Sequence, residues 1–353
     1  MIIDTTELDG YLQAVLDAGV PGVVALSAGP DGRREQAAGV ADVRTQARMT
    51  TASRFPIASV TKTFVATVVL QLVAEGALDL DGRAPGLDAT VRQLLNHTSG
   101  LADAYTMQEL IELRPDRTPR ALAAITLGKP RLFPPGEGWS YSGSNYVMLG
   151  LLVEDVTGSS VRQALAERIF EPLGLTASDL PDALPNEIAR GYLPPDNPVV
   201  PGTGPGLVDV TDIGATKYAG GGMVSTADEV ARFLRALMRG ELLPPALQAE
   251  LLRTVASDWD ESDAYGLGIE EITAIAAVGS PCGRAWGHLG FDLGHTTIAL
   301  SSESGDRQAV VLFAMHPITQ ETWDTMARLA WACYCGLSPE TRPAPGDRPP
   351  SQA

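Results

Sequence analysis

The stretch FPIASVTKTFVATVVLQLVAEG, residues 55–76, decides how the rest of the chain is read. From Thr63 to Ala74 it is mostly apolar and carries no charge, which describes a buried helix rather than one lying on a surface. Ser59 and Lys62 stand at its mouth, three residues apart, so on a helix their side chains share a face. A serine hydroxyl is a poor nucleophile at neutral pH and needs a base beside it. A lysine can serve as one only when burial and neighbouring charge keep it neutral or let it relay a proton. The apolar residues on both sides of SVTK would supply that burial. S-x-x-K also arises by chance in many chains, and a surface lysine is the cheaper reading until other residues speak for the site.

The chain has 353 residues, long for one compact core, which favours two lobes or one domain carrying a large insertion. A hydrophobic content of 44% with 20% charged residues is that of an ordinary globular protein. A formal net charge of −17 argues against a nucleic-acid partner and against docking on anionic lipid. No apolar run reaches the roughly 18–20 residues of a membrane span, since the longest one carries Gln71 and Glu75. The first 20 residues lack the basic region, long apolar core and cleavage site of a secretory leader, so the expectation is a cytoplasmic protein, or a secreted one whose leader was removed. Three cysteines do not make a disulfide scaffold. Cys282 could bridge to Cys333 or to Cys335, and the spacing suits no zinc site. Neither a metal nor a cofactor is expected.

Helical periodicity over 6–18 is followed by strand-like GVVALSAG and REQAAGVAD, joined through the turn GPDG, and by a short RFPIAS. From 80 to 215 the pattern is helical and rich in loops, with a Pro- and Gly-rich crossing at 192–206. TADEVARFLRALMRG is a helix capped by Thr226 or Ser225. Beyond it YGLGIEEI, RAWGHLG, HTTIALSSES and QAVVLFAMH alternate like antiparallel strands, and ETWDTMARLAWACYCG closes the chain as a helix. The expected fold is α/β of the α+β kind. An antiparallel sheet flanked by helices is built from 1–83 and 216–337, an all-helical domain is inserted at 84–215, and a disordered Pro-rich tail follows from 338 to 353.

Two further segments bear on Ser59 and Lys62. PPGEGWSYSGSNYVMLG places Tyr141 between a Pro-Gly turn and a helix, and RAWGHLGFDLGHTT places His288 in a strand flanked by glycines. In this order and spacing the three elements resemble the S-x-x-K, Y-x-N and [KH]-x-G motifs of the serine β-lactamases and penicillin-binding proteins. The likeness is widest with the class C β-lactamase and D-alanyl-D-alanine carboxypeptidase branch. It extends to GVAD, TVRQLLNHTSGL, IFEPLGL, AGGGMVSTADEVARF and YGLG, covering about residues 8–337. The resemblance implies that Ser59 is the acylated nucleophile, Lys62 its base or proton relay, and Tyr141 a second base serving the leaving group. It implies that the backbone N–H groups of Ser59 and Phe291 form the oxyanion hole, that His288 shapes the field beside Tyr141, and that Gly290 lets substrate approach the backbone.

Departures from the family pattern bear on the substrate. The Asn of Y-x-N is replaced by Gly143, and Asn145 lies two residues too far on to take its place. Where the carboxypeptidases carry hydroxyl groups and a cation for a terminal carboxylate, this chain has Leu289, Phe291 and Glu270. Glu270 is expected to face the leaving side of the pocket and repel a carboxylate; a slip of one residue would put Glu271 there instead. His97 reads as a structural residue at a helix stop with Gly100 as its cap, His295 as structural, and Glu137 and Ser140 as turn residues. His316 has no partner that the sequence reveals. The reading that follows is an acyl-enzyme hydrolase or acyltransferase for an ester, thioester or peptide amide. That covers an esterase, a D-amino-acid peptidase or amidase, and a thioesterase or cyclase of the penicillin-binding type. Its substrate would be a small molecule or peptide, carrier-bound in the last case. A strict DD-carboxypeptidase or β-lactamase and a non-catalytic binding module are the alternatives.

Overall fold

The structure is a computed structural model that describes residues 3–106, 109, 118–200, 206–213, 218–258 and 264–336. The tail expected at 338–353 and the domain cut expected at 215–216 lie outside the described residues. Among the described residues nine strands form one antiparallel sheet: β1 (Gly22–Gly29), β2 (Gly32–Asp42), β3 (Ala47–Arg48), β4 (Val255–Ala256), β5 (Ala264–Tyr265), β6 (Glu270–Ile272), β7 (Ala285–Phe291), β8 (Thr296–Ser301) and β9 (Gln308–Phe313). Their order across the sheet is β3-β2-β1-β9-β8-β7-β6-β5-β4, so the last described strand joins the two segments at the centre. Val23 pairs with Phe313, Thr296 with the same Phe313, and His288 with Ala299.

Side chains alternate along each strand and so sort into two layers. Val23, Ala25, Leu289, Ile298, Val311 and Phe313 face α1 (Thr5–Asp17) and the last helix, Gln320–Cys335. Val24, Leu26, Trp286, Ala299, Val310 and Leu312 face α2 (Thr61–Ala74) and the helix Ala227–Met238. α2 is buried from Thr61 through Leu70, as its mostly apolar pattern favours, and Phe64 stacks on Phe233 with ring centroids 3.5 Å apart. The helices between the two sheet segments include α3 (Gly143–Thr157), and Leu149, Leu152 and Val153 of α3 belong to the same core as α2. One apolar core therefore runs from the sheet into the intervening helices. Thr226, not Ser225, caps the helix that follows, accepting from the backbone N–H of Glu229. Cys282 is bonded to Cys335, which fixes the end of the last helix to the turn before β7, while Cys333 stays a buried thiol. Among the described residues no helix is long and apolar enough to cross a membrane, and no group of three or more His, Cys, Asp or Glu could hold a metal ion.

Candidate active site

The chain enters α2 through an abrupt turn. Phe55–Pro56 pairs with Val224–Ser225, Ala58 takes a left-handed φ of 46°, and Ser59 follows in a single turn of 3₁₀ helix. A non-glycine residue in that conformation costs of order 1–3 kcal/mol, and the packing on both sides maintains it. The turn leaves Ser59 half-buried on the first step of a buried helix. One turn on, the Lys62 Nζ lies 3.1 Å from the Ser59 Oγ and also donates to the Gly220 carbonyl. Only 2% of Lys62 is exposed, so it is not the surface lysine of the cheaper reading. Its ammonium also lies over the rings of Tyr141, at 4.8 Å, and Tyr146, at 5.6 Å.

Tyr141 precedes α3, and its ring packs 4.4 Å from that of His97. Burial pushes its phenol well above the usual tyrosine range, the hydrogen bond with Ser59 pulls it back, and the carboxylates of Glu270 and Asp103 add to the rise. His97 is fully buried with a φ of 64°, and its Nδ1 meets the Ser142 N–H at 3.2 Å and the Asn145 Nδ2 at 3.0 Å. Burial first, then the positive field of Lys62, hold the imidazole well below its ordinary value, so it is a neutral spacer behind Tyr141. The helix before it stops at Leu95 with Asn96 as the cap. The turn is thus made by His97 in the left-handed region and not by Gly100. Asn145 is spent on Ser99 and His97, on the side of α3 away from the position that a Y-x-N asparagine would hold. Gly143 leaves room: a methyl group there would meet nothing nearer than the Asp103 Oδ1, at 3.7 Å.

Strand alternation separates the residues of the third motif. His288 and Gly290 face the α2 layer, while Leu289 and Phe291 point to the other one, with Phe291 5.3 Å from the Trp323 ring and 5.9 Å from that of His316. The Leu289 and Phe291 side chains are therefore not walls of the Ser59 site, contrary to the slots expected for them. Their backbone behaves differently. Asp292 N–H bonds His295 across the hairpin, so by alternation the N–H groups of Leu289 and Phe291 point away from β8. That of Leu289 reaches the Glu270 Oε1 at 3.3 Å. Gly290 must be glycine, because a Cβ would lie 2.4 Å from the Ile57 carbonyl, just before Ser59.

Glu270 corrects a second expectation. It does face inward, but it is 1% exposed, and its Oε1 lies 2.8 Å from the His288 Nδ1. It holds an imidazole and has no open face from which to repel a substrate. Glu271 turns the other way, to Arg284. The Leu289 carbonyl also meets His288 Nδ1, at 2.6 Å; both neighbours are acceptors, so that nitrogen carries a proton. The other ring nitrogen meets the Tyr265 hydroxyl at 2.9 Å. Tyr265 is hydrogen-bonded to Tyr146, whose hydroxyl donates to the Leu95 carbonyl at 2.9 Å. A buried chain thus runs from Glu270 through His288, Tyr265 and Tyr146 beneath Lys62 and Tyr141. Sequence reasoning missed Tyr265, Tyr146 and Gly220, although each lies inside one of the family's motifs. It also missed Asp103, a lone acid in a loop with no pattern to mark it. His295 is structural as expected, its Nε2 on the Ala189 carbonyl at 2.9 Å.

A profile of the Beta-lactamase family matches residues 8–329, and the chain belongs to that family. It is 33% identical over 214 residues to a D-aminopeptidase of Brucella anthropi, which covers 55% of this chain and 41% of the relative. The chain thus spans about two fifths of that protein's length. Among solved structures, a D-stereospecific amidohydrolase from Streptomyces sp. superposes with a TM-score of 0.79 at 29% identity, over 95% of this chain and 100% of the other. The D-amino acid amidase from Ochrobactrum anthropi SV3 superposes at 0.81 with 28% identity, over 90% and 94% respectively.

Proposed function

We propose that the protein hydrolyses the amide bond next to an amino acid bearing a free α-ammonium group, through an acyl-enzyme on Ser59. The observation that carries the reaction is the buried Lys62 Nζ 3.1 Å from the Ser59 hydroxyl. In this reading Lys62 acts as the neutral amine: it takes the Ser59 proton as the oxygen attacks the substrate carbonyl, and hands it back to that oxygen when water releases the acyl group. The oxyanion develops toward the backbone N–H groups of Ser59 and Phe291. Tyr141, whose burial disfavours a standing phenolate, passes a proton to the departing amine and then draws one from the attacking water. His288, fixed by Glu270 and Tyr265, orients the phenol wall.

The amine preference rests on the mouth of the site. The exposed Asp103 carboxylate is held by the Ser142 hydroxyl at 2.8 Å and the Ser144 N–H at 3.0 Å, at the turn that follows Tyr141. Gly143 leaves the space in front of it open. A carboxylate there recognises an ammonium, whereas an asparagine at 143 would suit an acylated amide. The D-aminopeptidase and D-amino acid amidase among the relatives support a D-configured substrate. The test compares D- and L-amino acid amides, their N-acetyl forms, D-Ala-D-Ala peptides, thioesters and nitrocefin. The expected result is best turnover of D-amino acid amides, with N-acetylation lowering kcat/KM about tenfold or more and Asp103→Asn abolishing that difference. Equal turnover of acetylated and free-amine substrates by the wild type overturns the amine reading.

A further inference from the structure

We infer that Tyr218 and Glu154 form a positioning lock that sets the distance between Lys62 and Tyr141; the inference rests on the catalytic reading of that pair. Lys62 needs an acceptor besides Ser59, and finds it in the carbonyl of Gly220, the last residue of the 3₁₀ turn Tyr218–Gly220. That turn is held from two sides. Downstream, Met223 N–H bonds the Thr61 hydroxyl at 3.1 Å and the Met223 carbonyl accepts from Ile57 N–H at 3.0 Å, tying the segment to the Ser59 turn. Upstream, the Tyr218 hydroxyl donates to the Glu154 Oε1 at 2.6 Å. Glu154 belongs to α3, the helix whose first turn follows directly on Tyr141.

The local geometry is built around this contact. Tyr218 adopts a φ of 48°, a conformation that a bulky residue rarely takes without compensation. Its carbonyl accepts from both Gly221 N–H, at 3.1 Å, and Gly222 N–H, at 2.7 Å. Its ring lies against Gly150 of α3, where a Cβ would come within 2.5 Å of it, and a Cβ on Gly220 would lie 3.0 Å from the Gly143 carbonyl. The turn and α3 thus approach more closely than side chains on either would allow. Burial first, and then Glu154, raise the Tyr218 phenol well above its usual range, so the donor keeps its proton at working pH. Releasing the phenol frees the turn to move along α3, and the Gly220 carbonyl then leaves Lys62 while Tyr141 stays with the helix.

The test reads the rate at which a fluorophosphonate acylates Ser59, with the labelled residue assigned by mass spectrometry, alongside kcat, KM and thermal melting. Tyr218→Phe keeps the ring over Gly150 and removes only the hydroxyl. It is expected to lower the labelling rate and kcat about tenfold, with KM within twofold. Glu154→Gln, which retains an acceptor, should restore most of the rate, and Glu154→Leu should match Tyr218→Phe. The double variant Tyr218→Phe/Glu154→Leu should be no worse than either single one. Labelling of Tyr218→Phe at the wild-type rate overturns the lock and leaves the Ser59 reading intact. A wild type not labelled at Ser59 overturns both. A loss that follows the unfolded fraction in every variant, or Glu154→Gln as slow as Glu154→Leu, also overturns the lock.

Discussion

Behind the Ser59 hydroxyl the site is closed on itself. Lys62, Tyr265, His288 and Glu270 are all buried, and each hydrogen-bonds another residue of the same wall or a backbone carbonyl beside it. In front, beyond Tyr141, the wall is a glycine with open space and an exposed carboxylate held by the Ser142 hydroxyl and the Ser144 N–H. A buried polar network is worth having only when every member is satisfied, and then it is rigid. An exposed group is cheap to change and free to meet a ligand. The contrast separates chemistry from selection. Changes to the rear wall should cost rate and stability by large factors, whereas changes to the front should trade one substrate for another.

The largest effect belongs to the point where the two walls meet. Ser59→Ala should abolish turnover by several orders of magnitude and leave the fold unchanged, since the covalent step needs that oxygen and the helix beneath does not. Lys62→Ala and Tyr141→Phe should each cost nearly as much. Because they act on one proton path, the double variant should be far better than the product of the two losses. Kinetics on the four proteins, with melting curves as control, decide it. Multiplicative losses would mean that the rear wall is two independent devices.

Much of this contrast is legible in the amino-acid sequence. The buried helix, Ser59 and Lys62 follow from a mostly apolar run that carries no charge between Lys62 and Glu75, and the strand and helix order follows from periodicity. The layers of β7 are not legible in the same way, because family likeness aligns Leu289 and Phe291 with functional slots while alternation sends their side chains to the far layer. Glu270 is misread for a related reason. A carboxylate in a strand shows its sign but not its partner, and the partner of Glu270 is His288 from the neighbouring strand, 18 residues away. The Cys282 partner stays open between Cys333 and Cys335, since two residues along a helix turn the side chain to the opposite side, and only packing says which side. Asp103 leaves no trace because a loop acid has no period.

Glu270 gives the next effect and the sharpest check that the rear wall is a structural unit. Removing the Glu270 carboxylate leaves the Leu289 N–H without its acceptor and takes one of two acceptors from the His288 Nδ1, and a buried polar group left unsatisfied typically costs about 1–3 kcal/mol. Glu270→Leu should therefore destabilise the protein by about that amount, measured by urea unfolding. Glu271→Leu, which loses only a partly exposed contact with Arg284, should cost about 1 kcal/mol or less. Glu270→Gln, which keeps an acceptor for His288 and for Leu289 N–H, should fall between. The preference between free-acid and amide substrates should not move in folded Glu270→Gln. A change in that preference would restore the carboxylate-facing role that the buried geometry denies.

The smallest effect tests the front wall alone. Gly143 stands at the first position of α3 with an ordinary negative φ, and a Cβ there would make only a normal contact with Asp103, so a side chain can be added without strain. Gly143→Asn should leave the melting temperature within a few degrees and the Ser59 labelling rate unchanged. It places an amide between the substrate and Asp103, where its carbonyl and N–H groups suit an acylated nitrogen and its bulk screens the carboxylate from an ammonium. The ratio of kcat/KM for free-amine over N-acetyl substrates should fall about threefold to tenfold, mostly through KM, because the group acts on binding rather than on the reacting bond. Combined with Asp103→Asn, the added asparagine should have little further influence on that ratio, since its main effect runs through the carboxylate. If the ratio stays put while kcat falls, the two walls are coupled through the start of α3, and the separation of chemistry from selection fails at that helix end.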